Sequence, residues 1–359
     1  MMLSFPIARS LAEAALRGEA IYQIPEIEMQ PELSLRADML SEDRDWGHVN
    51  LGLAELHDAG FTGKGVTVCI LDTGADFDHP DLKPNFLASG HKNFTSDSSI
   101  NDGHGHGSHC SGIAVASNAN DAGLTGAAPE ASLLIMKVLS DRGSGASSWI
   151  AGGIVAATPL ADIFSLSLGG PQPDNLTRSA IQAAVAAGKW VVCAAGNDGG
   201  PGSSYPGHYP ESIAVCATDS QNRRASFSTT NAENDISAPG VSILSTLPGG
   251  RYGTMSGTSQ AAPYVAGCLA LLRAAIKKAG ARMPTQAEVL AAFAETSKDL
   301  GTPGRDVQTG WGLIMTKALI AKFVAVPPPP PPPSPKGWSG VITSPYIDGV
   351  LQRPIVTDR

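Results

Sequence analysis

Residues 253–274 read G-T-M-S-G-T-S-Q-A-A-P-Y-V-A-G-C-L-A-L-L-R-A, a Gly-rich turn that runs straight into a long apolar helix. From Thr258 onward small residues fill the first turn, and Pro263 comes early enough to be tolerated. Val265, Leu269 and Leu272 then recur at helical spacing, and Lys277, Lys278 and Gly280 form the stop. Ser259 stands at the junction. A hydroxyl is a weak nucleophile unless a base activates it, and a helix N-terminus favours the negative charge that follows. Ser256, Thr258 and Ser259 suit the N-cap of a buried helix equally well, so this stretch needs company before it means chemistry.

Upstream, G-K-G-V-T-V-C-I-L-D-T-G (63–74) is a β-branched run ending on an acid and a glycine turn. Such a fully apolar strand suits a parallel sheet buried on both faces, with Asp72 at the C-terminal edge where open α/β sheets place ligands. Similar strands are predicted at 132–138, 162–168, 190–195 and 213–217. Helices are predicted at 51–59, 147–157, 176–187, 285–296 and 313–323, with Thr285 and Glu288 spaced as a capping box. Strand and helix alternate, which predicts an α/β fold with a mostly parallel twisted sheet and helices on both faces.

With 42% hydrophobic residues, the chain can bury a large core, and 16% charged residues argues against disorder or a coiled coil. A net charge of −8 without a basic cluster gives nucleic acid no electrostatic footprint. No apolar run reaches membrane-spanning length, and the first residues lack a basic region ahead of an apolar one, so neither a membrane nor a secretory signal is expected. Five cysteines lie in or beside apolar runs without C-x-x-C spacing, which reads as buried free thiols of a cytoplasmic protein. The domains expected are an N-terminal extension at 1–41, a catalytic domain at 42–325, a proline-rich linker at 326–336 and a polar tail at 337–359.

Residues 101–113, N-D-G-H-G-H-G-S-H-C-S-G-I, place histidines at a loop-to-helix junction, where a side chain titrating near neutrality suits a general base. An acid at a strand end, a histidine and a serine at helix starts thus follow in the order Asp72, His106, Ser259. I-L-D-T-G-A-D-F-D-H-P-D-L (70–82), H-G-S-H-C-S-G (106–112) and G-T-S-Q-A-A-P-Y-V-A-G (257–267) resemble the three signature motifs of the subtilases. Residues 126–139, 191–197 and 238–248 make the chain most similar to the intracellular subtilisins.

The resemblance implies a serine endopeptidase acting on proteins and peptides through an acyl-enzyme, with Asp72, His106 and Ser259 as triad and Asn197 as oxyanion donor. His106 is taken over His104 and His109 because the family's base is the first histidine of its motif. It also implies a substrate strand along Ser165, Leu166, Ser167, Leu168 and Gly169. Walls of the specificity pocket would come from Leu166–Gly169 and Ala194, Ala195 and Gly196, with Ser204 at its base and Asp198 at its rim. A structural calcium ion would be held by Asp81, Asn120 and Glu42. Cys110 should lie beneath His106, and residues 1–41, with Ile24-Pro25, would form the inhibitory leader of a zymogen. Homodimer formation stays open.

Two other readings compete with this one. A metallohydrolase would use His104, His106 and His109, although Ser108 stands where its acid should be. A catalytically inactive subtilisin-like binding protein would keep the scaffold alone. No G-x-S-x-G occurs, which disfavours an α/β-hydrolase.

Overall fold

Apolar residues in consecutive positions need a sheet covered on both sides, and that is how β3 (Thr67–Asp72) is used. In the computed structural model it pairs in parallel with β5 (Ser132–Lys137) on one side and β7 (Ile163–Leu166) on the other. β8 (Trp190–Ala194), β9 (Ile213–Thr218) and β10 (Ile236–Pro239) follow outward from β7, and β4 (Lys92–Asn93) lies beyond β5. All seven strands run parallel, in the order β10-β9-β8-β7-β3-β5-β4.

The structure describes residues 13–14, 17–24, 30–35, 45–117, 119, 123–324, 346–347 and 350–351. The chain divides into two compact units, Met1–Val326 and Pro327–Arg359.

Alternation along each strand separates the core into two halves. Val68, Ile70, Leu133, Ile135 and Val192 pack with α3 (His106–Val115) and α6 (Thr258–Ala279). Cys69, Leu71, Leu134, Met136 and Val191 pack with α4 (Ser147–Ala157) and α5 (Asn175–Ala186). The side chains involved are fully buried, so trimming Ile70 to Ala would cost about 2–5 kcal/mol. All five cysteines are buried and unbridged. Among the described residues no helix is long and apolar enough to cross a membrane.

Local chemistry moved several predicted boundaries. The helix expected at 51–59 is two, α1 (Trp46–Asn50) and α2 (Leu53–Asp58), parted by Gly52 in the left-handed region at φ 63°. The helix expected at 313–323 begins only at Thr316, as α8 (Thr316–Phe323). Leu313 is instead drawn into backbone pairing with Lys298, at 2.9 and 2.8 Å. α7 (Gln286–Thr296) does start with the capping box, both of its reciprocal bonds present. In the second unit the polar tail carries an antiparallel pair, Tyr346–Ile347 with Val350–Leu351.

Two described pieces of the extension add strands to the first unit. β1 (Ile21–Gln23) pairs antiparallel with β6 (Ser144–Ala146). β2 (Gln30–Leu35) lies on β12 (Arg251–Met255), which pairs in turn with β11 (Ile243–Leu247).

Candidate active site

β3 ends on Asp72, whose Oδ1 accepts hydrogen bonds from His106 Nδ1 at 2.8 Å and from the Thr73 N–H at 2.7 Å. His106 is the first residue of α3, entered through Gly105 at φ 102°. Burial alone would lower the His106 pKa, but the facing carboxylate outweighs it and holds the imidazole well above its ordinary value. With Nδ1 donating to Asp72, Nε2 is the ring atom left to take up or give a proton.

Asp102 braces this pair, a role the sequence reading missed. Its Oδ1 accepts from Thr73 Oγ1 at 2.9 Å and from the His104 and Gly105 N–H groups at 3.0 and 2.8 Å. Its Oδ2 accepts from the Ser108 N–H at 2.8 Å and hydroxyl at 2.7 Å. Burial pushes its pKa up, yet the backbone donors of Gly105 and Ser108 prevail and keep it lowered. One ionised side chain thereby ties the turn after Asp72 to the first turn of the His106 helix. An acid two residues before a Gly-flanked histidine was the available signal.

Ser259 is the second residue of α6. Pro263, four residues on, has no N–H for the Ser259 carbonyl. That carbonyl is taken instead by Ser167 Oγ at 2.8 Å and Cys110 Sγ at 3.4 Å. The Ser259 hydroxyl donates to the Ser167 carbonyl at 3.3 Å, and no hydrogen bond joins it to His106. Cys110 spans the gap, with Sγ 3.8 and 4.0 Å from the two ring nitrogens of His106. Burial raises the Cys110 pKa, which keeps it a neutral thiol.

Asn197, just past the end of β8, accepts from the Thr258 N–H and hydroxyl, both at 2.9 Å, through its Oδ1. A backbone N–H can only donate, so the amide orientation is settled and Nδ2 is the free end. Nδ2 is buried and has no partner. An unpaired buried donor beside the first turn of α6 is costly in the resting protein and available to an oxyanion.

The residues fit one family, and comparison with known proteins agrees: residues 63–312 match the Subtilase family. The chain belongs to that family. It is 42% identical over 268 residues to an intracellular serine protease of Paenibacillus polymyxa, covering 72% of this chain and 81% of that protein. It is 44% identical over 249 residues to the major intracellular serine protease of Bacillus subtilis, covering 66% and 77%. Subtilisin E of Bacillus subtilis is 46% identical over 222 residues, covering 60% of this chain and 58% of its own.

In this subtilase the three histidines weighed as metal ligands do not converge. His109 Nε2 lies 3.0 and 3.1 Å from the carbonyls of Ile243 and Gly253, burial lowers its pKa to about 3, and His106 is committed to Asp72. The edge proposed for substrate also needs correction. Ser165 and Leu166 lie inside β7, paired with Ile70 and Leu71 on one side and Val192 and Cys193 on the other, so their backbone faces no opening. The free edge begins at Ser167 and runs through Gly169, with the Leu168 side chain turned into the core.

Opposite that edge stand Gly143–Ala146, which the sequence reading did not single out. The subtilase's own β1 fills the space between. Gln23 exchanges both backbone hydrogen bonds with Gly169, at 3.0 and 3.1 Å, and the Ile24 N–H donates to the Gly143 carbonyl at 2.9 Å. Ser204 fills the space between Gly169 and Gly196: a Cβ on Gly169 would lie 2.2 Å from its Oγ, and one on Gly196 2.6 Å from its Cβ. Ala194 and Ala195 are buried. Asp198 is exposed and accepts from Thr229 Oγ1 at 3.2 Å.

Of the residues named for calcium, Asp81 is buried, and its Oδ2 accepts from the Leu124 N–H and the Tyr252 hydroxyl, both at 2.8 Å. Asn120 and Glu42 lie outside the described residues.

Proposed function

We propose that Ser259, His106, Asp72 and Asn197 carry the reaction of this serine endopeptidase. The Ser259 oxygen attacks the scissile carbonyl as His106 Nε2 takes its proton, and Asp72 holds the ring in the required tautomer and stabilises the imidazolium. The carbonyl oxygen, now anionic, is received by Asn197 Nδ2 and the Ser259 N–H at the start of α6. Collapse passes the proton from His106 to the leaving amine and leaves an acyl-serine, which water hydrolyses by the same steps in reverse roles. The observation that carries this reading is the buried 2.8 Å Asp72–His106 bond facing the first turn of α6. The open Ser259–His106 link fits it, because catalytic hydrogen bonds in free enzymes are often long and tighten on the substrate. Labelling by a fluorophosphonate together with casein hydrolysis tests it: both should be present in the wild type and absent from Ser259→Ala. A wild type that cleaves casein without being labelled would defeat it.

Substrate is read as an extended strand between Ser167–Gly169 and Gly143–Ala146, adding itself by backbone hydrogen bonds. β1 lies in that lane, which supports the extension as an inhibitory leader that must leave before substrate enters. A chain beginning near residue 43 should then be more active than the full one, and equal activity would remove the idea. An intracellular setting is supported by five buried free thiols and by the names of two relatives. Calcium is kept as a structural ion on Asp81, whose hard carboxylate suits it, although a phenol and an N–H already occupy one oxygen. A chelator should lower the melting temperature, and an unchanged melt would discard the ion.

A further inference from the structure

The lane has a polar pocket, and Tyr22 shows what fits it. Tyr22 is fully buried, and its hydroxyl donates to Asp174 Oδ2. Asp174 is half-buried and is held from several directions. Its Oδ1 caps α5 through the Thr177 N–H at 2.8 Å, while its N–H and carbonyl meet the Tyr209 hydroxyl at 2.7 and 2.9 Å. Thr177, whose hydroxyl is buried, stands beside the phenol. Gly170 lies against the ring, where a Cβ would stand 3.6 Å from Tyr22 Cδ1 and 3.0 Å from the Ile21 carbonyl oxygen. Burial and the facing carboxylate both raise the Tyr22 pKa, so the phenol stays protonated and donates.

The strand register says which part of a substrate this pocket would read. Gln23 stands opposite Gly169 in antiparallel pairing. A peptide in the same lane therefore places the residue two positions further on opposite Ser167, whose carbonyl accepts the Ser259 hydroxyl. The pocket that holds Tyr22 is thus three residues ahead of the one beside the nucleophile. Apolar surroundings that include Leu168 and Tyr209 suit an aromatic ring, and the acid at the far end rewards a terminal hydroxyl.

We propose that Asp174 determines specificity in this endopeptidase, selecting substrates with tyrosine three residues before the residue whose carbonyl is attacked. The inference rests on the lane and the nucleophile assigned above. A phenylalanine there fills the pocket but leaves the carboxylate without its donor, the kind of mismatch by which sites built for a hydroxyl reject its absence.

The test uses the full-length chain carrying Tyr22→Ala, which empties the pocket. kcat/KM is measured for peptides that differ only at that position, with tyrosine, phenylalanine, arginine or alanine. Tyrosine should exceed phenylalanine by about tenfold, the scale of a hydrogen bond to a charged group. In Asp174→Ser the ratio should fall toward one, because serine still caps α5 but is too short to reach the phenol. Equal rates for tyrosine and phenylalanine with Asp174 in place, or arginine preferred over tyrosine, would overturn the assignment. If neither this chain nor one beginning near residue 43 cuts any peptide, and a fluorophosphonate leaves Ser259 unlabelled in both, the enzyme reading itself has failed and this inference goes with it. Labelling with no preference among the peptides defeats the inference alone.

Discussion

Two helix starts meet at the cleft, built alike and held differently. α3 enters from Gly105 and offers His106 in its first position, and α6 enters from Gly257 and offers Ser259 in its second. His106 is fixed by a 2.8 Å bond to Asp72, with Asp102 bracing the turn around it. The Ser259 hydroxyl has one long bond, 3.3 Å to the Ser167 carbonyl. The contrast follows from charge. A carboxylate and an imidazole attract each other in the resting protein, and the same attraction serves the imidazolium that forms during reaction. A neutral hydroxyl has nothing comparable to hold it until it loses its proton. The receiving side resembles the base, since Asn197 is anchored by two bonds at Oδ1 while its donor waits unpaired.

If the loosely held side chain is the nucleophile, its removal must still cost the most. Ser259→Ala should lower kcat on the order of a million-fold, a scale known for subtilisin rather than derived from this chain, and activity within tenfold of wild type would end the comparison. Asp72→Asn leaves His106 in the wrong tautomer and should cost about ten-thousand-fold. It should also lower the pH midpoint of the acid limb. The base works only when Nε2 is free of a proton, and Asp72 holds the His106 pKa above 6.5. In wild type, therefore, kcat/KM should rise with pH through a midpoint above that value, and a midpoint below it would contradict the pairing. His104→Ala should retain most activity where His106→Ala does not.

Asn197→Ala should cost about a hundred- to a thousand-fold in kcat with little change in KM, again a magnitude known from subtilisin. A purely structural Asn197 would instead show itself as lost stability with kcat preserved. The smallest effect belongs to the residue between the two helices. Cys110→Ala should cut activity less than about tenfold, as a buried neutral thiol takes no part in proton transfer. It should also abolish inhibition by mercurials, whose bulk on Sγ would displace His106. Persistent inhibition of the variant would point to another thiol.

Much of this was legible along the chain. Apolar runs ending on Asp72, a Gly-flanked histidine and a serine before a small-residue helix are local patterns, and a parallel sheet has few ways to use them. Boundaries were less legible where one backbone conformation decided them, as at Gly52, or where a distant strand competed, as at Leu313. Ser165 and Leu166 looked like substrate edge until both neighbours of β7 proved to be present. Asp174 and the second wall at Gly143–Ala146 were missed because nothing in their own neighbourhoods marks them, whereas Asp102 carried a local mark, its place two residues before a Gly-flanked histidine.

The order of elements, the buried sheet and the choice of candidate reacting side chains therefore follow from residue types and their spacing, since propensity, alternation and motif chemistry act within a few residues. Which edge stays open, which carboxylate faces which hydroxyl, and that the chain's own residues 21–24 fill the lane are matters of long-range packing. Such contacts join residues more than a hundred positions apart, as Tyr22 and Asp174 are, and no local rule carries that distance.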